Sequence, residues 1–120
     1  MNAIRIHTDQ GDYIICQPGS GLISTEQDIL DLLAQGYDLD QNRLVVHSTE
    51  LHPDFLNLKS GLLGSIFLKL SNYRVKTAFI VEMKKIQSER FHELIYEHKR
   101  SREIRFFEDL ASAEQWLFQE

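Results

Sequence analysis

The chain has 120 residues, 42% of them hydrophobic and 26% charged, with a net charge of −5. That is enough for one real core and too little for two, so a single domain over residues 1–120 is expected. The acidic balance argues against general nucleic-acid binding, which draws on clustered Lys and Arg, and no apolar run approaches the ~18 residues of a membrane span.

Ala3–His7 and Asp12–Cys16 flank the turn Asp9-Gln10-Gly11 and read as an N-terminal β-hairpin. No basic-then-apolar leader opens the chain, and Cys16, its only cysteine, can form neither an internal disulfide nor a thiolate cluster. A soluble, unprocessed protein of a reducing cytoplasm is expected. Pro18-Gly19-Ser20-Gly21 closes the second strand, and Ser24-Thr25-Glu26-Gln27 reads as a capping box with Ser24 as the cap. The helix it opens buries Ile29, Leu30, Leu32 and Leu33 and stops at Gly36.

Arg43–His47 is a short, nearly continuous apolar run, the pattern of a strand covered on both faces. After a connection holding Ser48, Thr49, His52, Pro53 and Asp54, apolar residues at Leu58, Leu62, Ile66 and Leu70, widened by Leu63 and Phe67, predict the longest helix from Leu58 to about Tyr73. Lys76–Val81 reads as another buried strand. Phe91, Leu94, Ile95 and His98 mark a helix starting near Ser88, Glu103–Phe107 reads as a last strand, and Asp109 caps a closing helix that buries Ala113, Trp116 and Leu117. The order β-β-α-β-α-β-α-β-α implies a mostly parallel mixed sheet of about five strands with about four helices.

The Ser-Gly step within Phe55–Gly64 carries the most chemistry. Ser60 at a helix start is first an N-cap, worth ~1 kcal/mol. If it were phosphorylated, a charge of about −2 would face the free amides of the helix, with Lys59 adjacent. Gly61 and Gly64 leave room for another backbone or a ligand to approach; packing against the sheet is the ordinary use of such a pair, set against a helix penalty of about 1 kcal/mol each. This spacing is too short for a phosphate-loop or dinucleotide fingerprint.

The five histidines lack ligand spacing and read as structural or surface groups, so no metal or cofactor is expected. Glu89, Glu93 and Glu97 share one solvated helix face. The basic run Lys99, Arg100, Arg102 and Arg105 reads as helix-end complementation and solvated surface, with recognition of a phosphate or an acidic partner as the alternative. A secondary polar cluster of Tyr96, Glu97 and Arg100 would join a strand-end site if it lay near Ser60, since open parallel sheets seat ligands beyond the carboxyl ends of their strands. No nucleophile with its base is legible, and no catalytic residue is assigned.

This order of elements, with Leu58-Lys59-Ser60-Gly61-Leu62 opening the long helix, resembles the STAS fold shared by sulfate-transporter tails and anti-sigma-factor antagonists. The resemblance sets Ser60 and Gly61 on that family's phosphorylatable hydroxyl residue and its glycine. Phe55-x-x-Leu58-Lys59-Ser60-Gly61-Leu62-x-Gly64, Asn72-Tyr73-x-Val75-Lys76, Ile95-Tyr96-Glu97 with Arg100, and Trp116-Leu117 are similar to an uncharacterised bacterial domain-of-unknown-function family of STAS-like type. The resemblance implies a STAS-like fold and a non-catalytic regulatory or protein-interaction module working through Lys59, Ser60, Gly61 and Gly64 with a protein partner. The alternative is a small-molecule or nucleotide binding domain, or a weak enzyme, on the same strand-end surface. Leu39, Phe118 and the apolar hairpin offer contact surface for a homodimer.

Overall fold

The structure, a computed structural model, describes residues 1–36 and 42–119. Five strands, β1 (Ala3–Thr8), β2 (Gly11–Cys16), β3 (Arg43–His47), β4 (Lys76–Ile80) and β5 (Ile104–Phe107), form one sheet in sequence order. β1 pairs antiparallel with β2 as the expected hairpin, and every other pairing is parallel. The helices α1 (Glu26–Ala34), α2 (Leu62–Asn72), α3 (Glu89–Glu97) and α4 (Leu110–Leu117) complete the α/β layout read from the sequence.

Two cores flank the sheet. On one face Ile29 and Leu32 of α1, Leu63, Ile66 and Leu70 of α2, and Phe91 and Ile95 of α3 pack on Ile14, Leu44, Val46, Phe79 and Ile104. On the other, Ala113, Trp116 and Leu117 of α4 pack on Tyr13, Ile15, Val45, Ala78 and Ile80. The alternation of these sets along β2, β3 and β4 is the two-residue period of a strand buried on both sides. Among the described residues, no helix is long and apolar enough to cross a membrane.

Two local readings need correction. The cap of α1 is Thr25 and not Ser24: Thr25 Oγ1 accepts the Asp28 amide at 3.2 Å, while Asp28 Oδ2 accepts the amides of Thr25 at 3.0 Å and Ser24 at 2.8 Å. A carboxylate takes both orphan donors, and Gln27 turns instead to Asp31 at 3.0 Å. The long helix begins at Leu62 and not Leu58. Residues Leu58–Ser60 are a separate 3-10 turn, cut off by Gly61 in the left-handed region at φ 79°. Gly36 is where the expected stop falls, directly after the Gln35 cap with its amide on the Leu33 carbonyl at 3.0 Å, and it is also sterically required, with Ile14 Cγ2 only 2.9 Å from where a β-carbon would sit. Of the homodimer surface, Leu39 lies outside the described residues. Phe118 is partly buried, edge-on to Tyr13 at 6.4 Å and under Arg43 at 4.4 Å.

Phe55 ties the β3–α2 connection to the core. It sits in the 3-10 turn Pro53–Phe55, is fully buried, and meets Phe79 at 5.1 Å, Phe91 at 6.1 Å and Phe67 at 6.4 Å. Phe55→Ala is expected to cost about 3–5 kcal/mol in denaturant unfolding, because a rigid cluster closes poorly over the lost ring. On the other face, Tyr13 donates to Glu114 Oε2, and burial first, then this carboxylate, pushes the phenol well above the tyrosine range. The folded value exceeds the unfolded one of about 10, so Tyr13's contribution is complete below that pH and is lost as pH rises above it. Unfolding titrations should show an alkaline slope of about 1.4 kcal/mol per pH unit that Tyr13→Phe lacks.

Candidate functional site

The connection from β3 to α2 is held by its own polar groups. Glu50, 5% exposed, follows β3 in the 3-10 turn Ser48–Glu50; its carboxylate accepts the Gly19 amide and the Thr49 hydroxyl, both at 2.7 Å. Its backbone carbonyl takes the Ile23 amide at 2.9 Å, and the His52 amide returns to Ile23 at 2.9 Å. Two loops at the carboxyl end of the sheet are thereby stitched together. His52 Nδ1 then accepts the Asp54 amide at 3.0 Å and opens the Pro53–Phe55 turn. Asn57 Oδ1 accepts the Lys59 amide at 3.2 Å and opens the next.

Ser60 closes this chain of caps. Its hydroxyl donates to the Asp54 carbonyl at 2.6 Å and accepts the Leu62 amide at 3.2 Å, so it serves the start of α2 although Gly61 holds the cap position. Both Ser60 and Lys59 are exposed. Gly61 and Gly64 are exposed as well, and a β-carbon at either would meet nothing within 4 Å. The expectation that Gly64 packs against the sheet is therefore corrected: the residue is exposed, and nothing among the described residues requires a glycine there. One turn further along, Leu68 is 58% exposed on the same helix.

Beside this corner lies a cleft of about 470 Å³, lined by Leu56, Asn57, Leu58 and Lys59 on one wall and Ser88 and Arg90 on the other. The second wall is the start of α3, where Ser88 Oγ accepts the Phe91 amide at 3.2 Å. Leu56 and Leu58 are half-buried, and Lys59 and Arg90 form no ion pair among the described residues. Arg90 was not foreseen from the sequence, because only the sheet brings the start of α3 beside a loop some thirty positions earlier.

Lys59, Ser60, Gly61 and Gly64 thus share one corner, whereas Tyr96, Glu97 and Arg100 do not join it. α3 connects two parallel strands and runs from the carboxyl end of β4 to the amino end of β5, so its last turn is carried away from the cleft. Tyr96, 68% exposed, instead lies beneath the Lys99 ammonium at 4.6 Å. The basic run divides too: Arg105 bonds back to the Ser101 carbonyl at 2.7 Å and lies over Trp116. Histidines take structural bonds, His92 to the Ile86 carbonyl at 2.7 Å and His98 to the Leu94 carbonyl at 2.8 Å. Cys16 is fully buried, and burial, then the charge of Glu50, raises its thiol pKa.

A family model described as a domain of unknown function, DUF4180, matches residues 8–117. No curated protein and no solved structure matches.

The two corner glycines should respond oppositely to alanine. Gly61→Ala forces a side chain into the left-handed region and is expected to cost about 1–2 kcal/mol. Gly64→Ala meets open space in a helix and should stabilise the isolated chain by about 0.5–1 kcal/mol. Chemical denaturation of both variants measures the pair.

Proposed function

The chain belongs to this family of unknown function, and from that premise we propose that it is a non-catalytic regulatory module of STAS-like type that docks a protein partner. The partner seats on the corner formed by Leu56–Gly64, the first turn of α3 and the outer side of α2. Gly64 carries the reading. A glycine at an exposed helix position forgoes up to about 1 kcal/mol relative to alanine, and no neighbour among the described residues uses the space it leaves. A partner backbone approaching α2 closely would use it.

The rest of the corner suits the same role. Leu68 offers an exposed apolar contact, Leu56 and Leu58 line the cleft, and Lys59 and Arg90 stand at its two walls. A partner segment with apolar side chains flanked by carboxylates complements that surface. Phosphorylation of Ser60 would break its bond to the Asp54 carbonyl and place negative charge on this corner, switching the partner's grip.

Affinity purification from the native cell, followed by cross-linking mass spectrometry, tests the reading. A near-stoichiometric protein partner is expected, with cross-links at Lys59. Gly64→Gln, which adds bulk without breaking the helix, should weaken its capture at least tenfold without lowering the melting temperature. A stoichiometric small molecule with no protein partner would overturn the proposal.

A further inference from the structure

Three cations meet on the α4 face at the amino ends of adjacent strands. Arg43 opens β3, Lys76 opens β4 opposite it, and Arg105 in β5 pairs with Ala78, two residues along from Lys76 on the same face. Each is partly buried and fixed from one side. Arg43 Nε donates to the Leu117 carbonyl at 3.0 Å, with its guanidinium 4.4 Å from the Phe118 ring centre. Lys76 Nζ donates to the Gln119 carbonyl at 2.9 Å and lies 4.7 Å from the Trp116 ring centre. Arg105 uses Nε on the Ser101 carbonyl, leaving its guanidinium 5.4 Å from the same Trp116 ring.

Service to the carbonyls at the end of α4 and just beyond it accounts for Arg43 or Lys76 taken singly. It does not account for all three together. None of them forms an ion pair among the described residues. Burial, then Arg43, then Arg105, holds the Lys76 ammonium below the usual lysine range. Three like charges gathered without an ion-paired carboxylate among the described residues repel one another, and a site that breaks a local rule in this way is where a ligand is to be sought.

The donors left over define what fits. Both guanidinium groups spend Nε on the backbone and keep their terminal nitrogens, while Lys76 keeps two of its three protons. Planar forks match phosphate oxygens two at a time, and three positive charges suit an anion carrying several negative ones better than a single carboxylate. We propose that Arg43, Lys76 and Arg105 form a seat for a diphosphate group, free or carried by a small molecule. The seat lies at the amino ends of the strands, apart from the docking corner, and does not depend on it.

Trp116 is the chain's only tryptophan, so its emission reports directly on this place. The full chain is titrated with sodium pyrophosphate at constant ionic strength, with sodium chloride as control, and by calorimetry with a nucleoside diphosphate. A saturable change in Trp116 emission is expected with pyrophosphate and not with chloride. Arg105→Gln, which leaves the bonds to α4 in place, should weaken pyrophosphate at least tenfold at an unchanged melting temperature, and Arg105→Lys should recover part of that loss. Tighter binding of the nucleoside diphosphate than of pyrophosphate assigns the seat to a nucleotide; equal affinity assigns it to the diphosphate alone. A response no greater than chloride's, or unchanged affinity in Arg105→Gln, overturns the proposal and leaves the three cations as helix-end supports.

Discussion

Every strand of the sheet is hydrogen-bonded to its neighbours in sequence, and that ordering decides where the rest of the molecule lies. Crossovers between parallel strands are right-handed, so three crossovers stepping in one direction deposit three helices on one face. α1, α2 and α3 share the larger core accordingly. The opposite face is left to α4, eight residues long, and its polar ends must meet the strand ends directly. The cations of β3, β4 and β5 gather there, where among the described residues only one helix covers that face. The corner around Ser60 stands at the other end of the sheet, where the β3–α2 connection is bent through three successive 3-10 turns before the helix starts.

That connection illustrates how an exposed working surface can rest on a rigid base. Phe55 anchors it by apolar contact, Glu50 by accepting donors from two loops, and Ser60 by bridging a carbonyl and an amide. The anchored groups point inward or along the chain. What remains outward is the side chains of Lys59 and Leu68 and the open faces of the two glycines, on backbone that these bonds hold in place. Under the proposed docking role, a partner would meet a corner already ordered, and ordering cost is one of the main charges against binding.

The element order was legible because strands buried on both faces read as unbroken apolar runs, as at Leu44–Val46 and Ala78–Val81, while α2 and α3 keep a helical period. Boundaries were less so. Leu58, Leu62, Ile66 and Leu70 keep helical spacing straight through Gly61, since a 3-10 turn and an α-helix laid end to end can point leucines the same way; the backbone at Gly61 separates them. Ser24 and Thr25 each precede a polar residue by three, and the charge of Asp28 decides between them. Of the candidate site, Lys59 to Gly64 is local in sequence and was legible for that reason. Arg90 on the far wall, the buried Glu50, and the meeting of Arg43 with Lys76 and Arg105 depend on strand register and crossover direction, which no linear spacing encodes.

Sequential strand order also bears on how the protein acquires its shape. Each sheet pairing joins consecutive strands, so the chain closes modest loops one after another, and pairings of short sequence separation favour rapid folding. The bond from Tyr13 to Glu114 spans 101 positions and reaches from the first hairpin to the last helix. Nothing in the sheet needs it to form early. The three-helix side can therefore assemble as a growing unit, with α4 docking as the step that closes the longest loop and seals the second face.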